Sequence, residues 1–227
     1  MLREIVLDTE TTGFEPSEGH KLVEIGCVEL INHLPTGNVF HVYLNPMRDV
    51  PAEAARVHGL TTEFLQDKPL FTEKVGEFIE FIAGDSLVIH NAEFDMKFLN
   101  AELKSSGFKV LPMSRAIDTL LIARKKYPGQ PANLDALCRR FKVDNSGRDF
   151  HGALLDAELL SEVYLELIGG RQHGLGFGSE LASKQSQALN ANIKRQKREP
   201  RSFPPSDEEL KEHSAFLEKV KEAIWLK

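Results

Sequence analysis

Apolar residues along the chain fall into two rhythms. Ile5-Val6-Leu7 is a short continuous run, the pattern of a strand buried on both faces. Leu22 to Ile31 and Val39 to Leu44 read as two more strands. Pro35-Thr36-Gly37-Asn38 between them is turn chemistry, so the pair is expected to form a hairpin. The rhythm then lengthens. Val75, Phe78, Ile79 and Ile82 recur at helical spacing within 72–82. Ser86 to His90 reads as a strand leading into a helix over about 93–104. Ile117 to Thr119 reads as a short strand running into a helix. Asn133 is placed to cap a helix carrying Leu134, Leu137 and Phe141, and a longer helix runs from about Gly152 to Ile168 before Gly169-Gly170. Strands first, then alternating helices and strands, predict an α/β mixed sheet with helices on both faces.

After Gly170 the pattern breaks. Residues 172–205 are rich in Gly, Ser, Gln, Asn, Lys and Arg and read as a flexible linker. At Ser206 the helical pattern resumes, with Glu209 completing a capping box. Leu210, Phe216, Leu217, Val220, Ile224 and Trp225 give this last helix an apolar face. Such a helix either docks on a partner or folds back on its own domain.

Composition narrows the setting. The chain has 227 residues, 41% hydrophobic and 27% charged, enough for one domain plus an appendage. No apolar run reaches about 18 residues, so no membrane-spanning helix is expected. The opening residues lack the charged and apolar regions of a secretory signal. Cys27 and Cys138 sit in apolar runs and read as buried thiols of a reducing, cytoplasmic compartment. A net charge of −6 argues against a passive nucleic-acid binder but not against an enzyme whose carboxylates hold cations.

Four acidic residues stand in unexpected places. Asp8 and Glu10 end the first buried strand, two apart and therefore on one face. Carboxylates that close share a proton or a cation. Asp95 falls in the first turn of a helix, where a carboxylate also suits the helix dipole. Asp156 shares the buried stripe of the last long helix with Leu160 and Val163, so it needs a Lys or Arg partner or a metal. His151 stands five residues earlier, about 140° round a regular helix. The two converge only if His151 lies just outside the helix, which Gly152 permits. Together these residues describe a site for two divalent cations, Mg²⁺ or Mn²⁺, with a histidine near the reactive water. Zinc is disfavoured without clustered Cys or His.

At these residues the chain resembles the DEDD-type 3′→5′ exonucleases of the histidine subtype: DTETTG at 8–13, HNAEFD at 90–95 and HGALLD at 151–156. The resemblance covers about residues 1–170 and implies an exonuclease domain over 1–171, an RNase H-like fold with a mixed five-stranded sheet. VHGLT at 57–61, NLDALCRRF at 133–141 and the segment 143–165 are most similar to members that proofread for bacterial replicative polymerases. The resemblance implies that Asp8 bridges two cations, that Glu10 and Asp156 complete the site holding the nucleophilic water, that Asp95 serves the second ion, and that His151 takes the water's proton. It also implies that Thr9, Thr11, His58, Asn91 and Phe94 handle the 3′ end. His58 would otherwise be a solvated loop residue, Phe94 core, and Asn91 a helix cap. QHGLGF at 172–177 resembles a sliding-clamp (beta) motif anchored by Gln172, Leu175 and Phe177, and the terminal helix, 206–227, resembles the segment that binds the polymerase alpha subunit. A small theta-type subunit is left open. Two rivals stand beside this reading: an RNA-trimming exonuclease of the same superfamily, and an adaptor that joins polymerase to clamp.

Overall fold

The computed structural model describes residues 1–147, 150–169 and 204–217. The chain divides into two units, Met1–Leu175 and Gly176–Lys227. In the first, five strands form one sheet: β1 (Arg3–Thr11), β2 (Leu22–Ile31), β3 (Leu34–Tyr43), β4 (Ser86–Ile89) and β5 (Ala116–Asp118), in the order β3-β2-β1-β4-β5. β1–β2 and β2–β3 are antiparallel, while β1–β4 and β4–β5 are parallel. This is the expected mixed α/β sheet.

Alternation along β1 assigns the two faces. Ile5 and Leu7 enter a core with α3 (Phe71–Ile82) and α4 (Ala92–Ser105). Val6 enters the opposite core, with α5 (Thr119–Lys126), α6 (Leu134–Phe141) and α7 (Ala153–Ile168). Both faces are therefore covered, as the continuous apolar run demands. Asn133 caps α6 as expected, its side chain accepting the Ala136 N–H. Cys27 and Cys138 are both buried.

The hairpin turn is not where the sequence suggests. It lies at Asn32-His33, both with positive φ (51° and 68°), the primed geometry that matches strand twist. Pro35 to Asn38 belong to β3, an exposed edge strand that tolerates a proline, opposite an irregular step between Val28 and Leu30. Two short helices precede α3 and have little apolar periodicity: α1 (Ala52–His58) and α2 (Thr62–Leu65). Pro51 before α1 and left-handed Gly59 after it are the signals that bound it.

In the second unit, Asp207–Leu217 is helical. Ser206 and Glu209 cap it reciprocally, the Ser206 N–H reaching the Glu209 carboxylate at 2.7 Å. Leu210, Phe216 and Leu217 lie on this helix. Gln172, Leu175, Phe177, Val220, Ile224 and Trp225 fall outside the described residues, as does most of the linker. No helix among the described residues is long and apolar enough to cross a membrane.

Candidate active site

Glu10 and Asp156 meet at the C-terminal end of β1, and Asp8 precedes Glu10 by two residues on the same strand. Asp8 and Glu10 continue the Val6 face, toward α7. Opposite Asp8 in the ladder stands Gly26, and α7 begins directly on it: a Cβ there would lie 2.3 Å from backbone atoms of Ala153 and Leu154. Only glycine lets the first turn of α7 approach this closely. The turn brings Asp156, 4% exposed, over the end of β1 in line with buried Leu160 and Val163.

His151 lies outside α7, as convergence required. Gly152 is the N-cap in an extended conformation, and Nδ1 of His151 stands 3.4 Å from Oδ2 of Asp156. Glu10, His151 and Asp156 offer ligand atoms that all lie within 4.8 Å of one another. The main chain of His151 is tied to α1, its N–H donating to the Val57 carbonyl at 3.0 Å. The Phe150 ring also lies over Gly59. Helix α1, which apolar periodicity does not reveal, thus seats the histidine.

Asp95 arrives from the other face. Thr9 points toward α4, where its hydroxyl donates to Asp95 Oδ1 at 2.7 Å. Burial pushes the Asp95 carboxyl up to about 7; the Thr9 hydrogen bond opposes this and neighbouring Asp118 adds to it. Asn91 does not cap α4 with its side chain; it occupies the N-cap position in the left-handed conformation, with φ 69°. A short polar side chain tolerates that region, which accounts for Asn there.

The remaining predicted residues line one cavity of about 410 Å³, with Glu10, Thr11, Phe14, His20, His58 and Phe94 in its wall. The Thr11 hydroxyl is engaged by the Gly13 carbonyl at 2.6 Å, so Thr11 shapes the loop. His20 packs its ring where a Gly13 Cβ would be and meets the Thr12 hydroxyl at 3.1 Å. Phe94 is both cavity wall and core edge, 5.1 Å from the Phe98 ring. His58 is not a solvated loop residue. It ends α1, is 5% exposed, and its Nδ1 accepts the Leu60 N–H at 3.0 Å. That leaves its ring proton on Nε2, buried beside the Thr11 backbone without a well-formed hydrogen bond. Burial lowers the His58 pKa and keeps the ring neutral. Glu24, opposite Glu10 on β2, is a further buried carboxylate, held by His41 Nε2 at 2.7 Å.

The donor set suits a hard divalent cation. Two carboxylates and an imidazole converge, and one of the carboxylates is buried.

The Exonuclease family model matches residues 5–164. Over 222 residues the chain is 51% identical to the DNA polymerase III subunit epsilon of Rickettsia felis, covering 96% of this chain and 97% of that protein. It is 48% identical over 227 residues to the subunit of the same name from Escherichia coli, covering 96% and 93%. Among solved structures, exonuclease X in complex with 5′ overhanging duplex DNA superposes with a TM-score of 0.58 at 23% identity, over 73% of this chain and 90% of that one. The nuclease domain of 3′hExo, a DEDDh family member bound to rAMP, gives 0.61 at 20% identity, over 73% and 91%. At those identities the likeness is one of fold.

Proposed function

The chain belongs to the Exonuclease family, among the DNA polymerase III epsilon subunits, and from that premise we propose that it removes nucleotides singly from the 3′ end of single-stranded or mispaired DNA. The observation that carries this reading is the convergence of Glu10, His151 and Asp156 within 4.8 Å beside a cavity that can take one terminal nucleotide. Asp8, Glu10, Asp95 and Asp156 hold the divalent cations. Mg²⁺ or Mn²⁺ bound there supplies the Lewis acidity that activates water and offsets charge on the phosphate.

The chain's own groups do the rest. His151, half exposed and steered by Asp156, accepts the proton of the attacking water. Phe94 and the neutral ring of His58 flank the terminal nucleotide, and the backbone around Thr11 and Thr12 faces it. The product is a deoxynucleoside 5′-monophosphate. Mismatch preference needs no reading of the base, because a mispaired end unpairs at lower cost and enters a single-strand site more often.

In this reading the protein works in the cytoplasm as part of a replisome. The terminal helix holds the polymerase III alpha subunit, and residues 172–177 engage the beta clamp, so that the polymerase supplies local DNA concentration to an acidic domain. Degradation of a 3′-labelled single-stranded oligomer tests the central claim. Single 5′-mononucleotides should appear with Mn²⁺ or Mg²⁺, disappear in EDTA, and nearly disappear in His151→Ala. Full activity in that variant would remove His151 from its role. Much faster cleavage of a matched RNA oligomer would favour the RNA-trimming alternative.

A further inference from the structure

Helix α4, which carries Asp95, starts without a cap of its own. Asn91 makes no side-chain capping bond, yet the first N–H groups of a helix need acceptors. They find one on another strand. Asp118 ends β5, paired with Ile89 at the end of β4. Its Oδ1 accepts the Asn91 N–H at 3.3 Å, and its Oδ2 accepts the Ala92 N–H at 3.2 Å. The same carboxylate caps α5, with Oδ1 accepting the N–H groups of Leu120 at 2.8 Å and Leu121 at 3.3 Å.

One side chain therefore closes two helix starts that leave neighbouring parallel strands. Capping α5 alone would be served by Ser, Thr or Asn. Only a carboxylate offers two acceptor oxygens, and here Oδ1 spans both helix starts while Oδ2 serves α4 alone. The choice is conspicuous because it sets another anion beside a site already crowded with them. Asp95 lies in the first turn of α4, where loss of the cap lets the helix fray, and its Thr9 hydrogen bond requires that turn to stay in place.

We propose that Asp118 is a positioning residue for the metal site, fixing the first turn of α4, and with it Asp95, from the adjoining strand. The inference rests on Asp95 being a metal-holding carboxylate. Asp118→Asn keeps the Oδ1 acceptor for α5 and the Asn91 N–H but turns an NH₂ toward the Ala92 N–H, so it removes the bond that only α4 uses. Asp118→Ser keeps a cap for α5 and is too short to reach α4. Asn133→Ala removes an ordinary cap from α6, far along the chain from Asp95, and serves as the control.

Calorimetric titration of the full chain with Mn²⁺, alongside metal-free melting temperatures, provides the test. Asp118→Asn and Asp118→Ser should weaken Mn²⁺ binding about tenfold or more, the scale of losing an outer support of a metal ligand. Their melting temperatures should fall no further than that of Asn133→Ala, which should bind Mn²⁺ normally. Unchanged Mn²⁺ affinity in both Asp118 variants would overturn the inference alone, as would an equal loss of affinity in Asn133→Ala. Failure of the wild type to bind Mn²⁺ would overturn the metal reading itself and this inference with it.

Discussion

Gly26→Ala changes no residue of the site, yet it should cost the site most of its activity. The added methyl would sit 2.3 Å from the Ala153 carbonyl carbon and the Leu154 nitrogen, where ordinary contact begins at 3.4 Å. Both are backbone atoms, so no rotamer relieves the clash. The first turn of α7 must retreat by about 1 Å, the difference between those two distances. Its freedom to do so is limited, because Ala153, Ala157, Leu160 and Val163 are buried beneath it. Overpacking of this kind costs ~1–3 kcal/mol. At this chain length that lowers Tm by ~2–4 °C per kcal/mol, leaving a folded protein. The consequence for chemistry is larger, since Asp156 and His151 ride on the displaced turn while Glu10 stays on β1. A misplacement near 1 Å costs on the order of a hundredfold in rate. Single-turnover release of 5′-mononucleotide with Mn²⁺, measured beside a melting curve, gives both quantities. Gly76→Ala is the matched control: it lies in α3 with open space around its Cβ position and should gain ~1 kcal/mol with unchanged rate. Gly26→Ala within about threefold of the wild-type rate would refute the claim that this contact sets the site.

Asp95 gives a pH signature. Its folded pKa, about 7, stands above the ordinary value of 3.8, so the folded protein binds the proton more tightly than the unfolded chain does. Metal-free stability should therefore decline as pH rises from about 4 to 7, and Asp95→Asn should remove that part of the slope; a parallel slope in the variant would reject the assignment. Mn²⁺ affinity should rise over the same window, because the cation needs the ionised form. Deleting residues 206–227 should abolish co-purification with the polymerase alpha subunit and leave exonuclease activity on free oligomers intact; a truncated chain that still co-purifies would place the docking surface elsewhere. Leu175→Ala with Phe177→Ala should weaken clamp binding, and unchanged affinity would reject residues 172–177 as the motif.

Much of this was legible in the chain, for identifiable reasons. Period-two and period-3.6 patterning is local, so β1, β2, α3, α4, α6 and α7 could be read from their own residues, and the Asn133 and Ser206 caps from their immediate neighbours. The acids announced themselves because an ionised side chain on a buried stripe has few explanations, and Asp156 beside Leu160 and Val163 is such a case. Helix geometry lets His151 meet Asp156 only from outside α7; Gly152 permits that, and the structure decides it. Edge strand β3 misled because Pro35 to Asn38 carries turn chemistry, while the true turn uses Asn32 and His33, whose positive φ leaves a weaker mark. Helix α1 was missed because it buries little, and so the seat of His151 on Val57 was missed with it.

The sequence by itself determined which side chains could do the chemistry and, through alternation in β1, that Asp8 and Glu10 share a face. Only the tertiary structure decided that Thr9, on the opposite face, serves Asp95, that Gly26 is the floor on which α7 rests, and that Asp118 closes two helices at once. Each of these depends on residues 26 to 128 positions apart in the chain, and no local pattern records a contact between elements that meet only when the sheet and its two helical layers are packed.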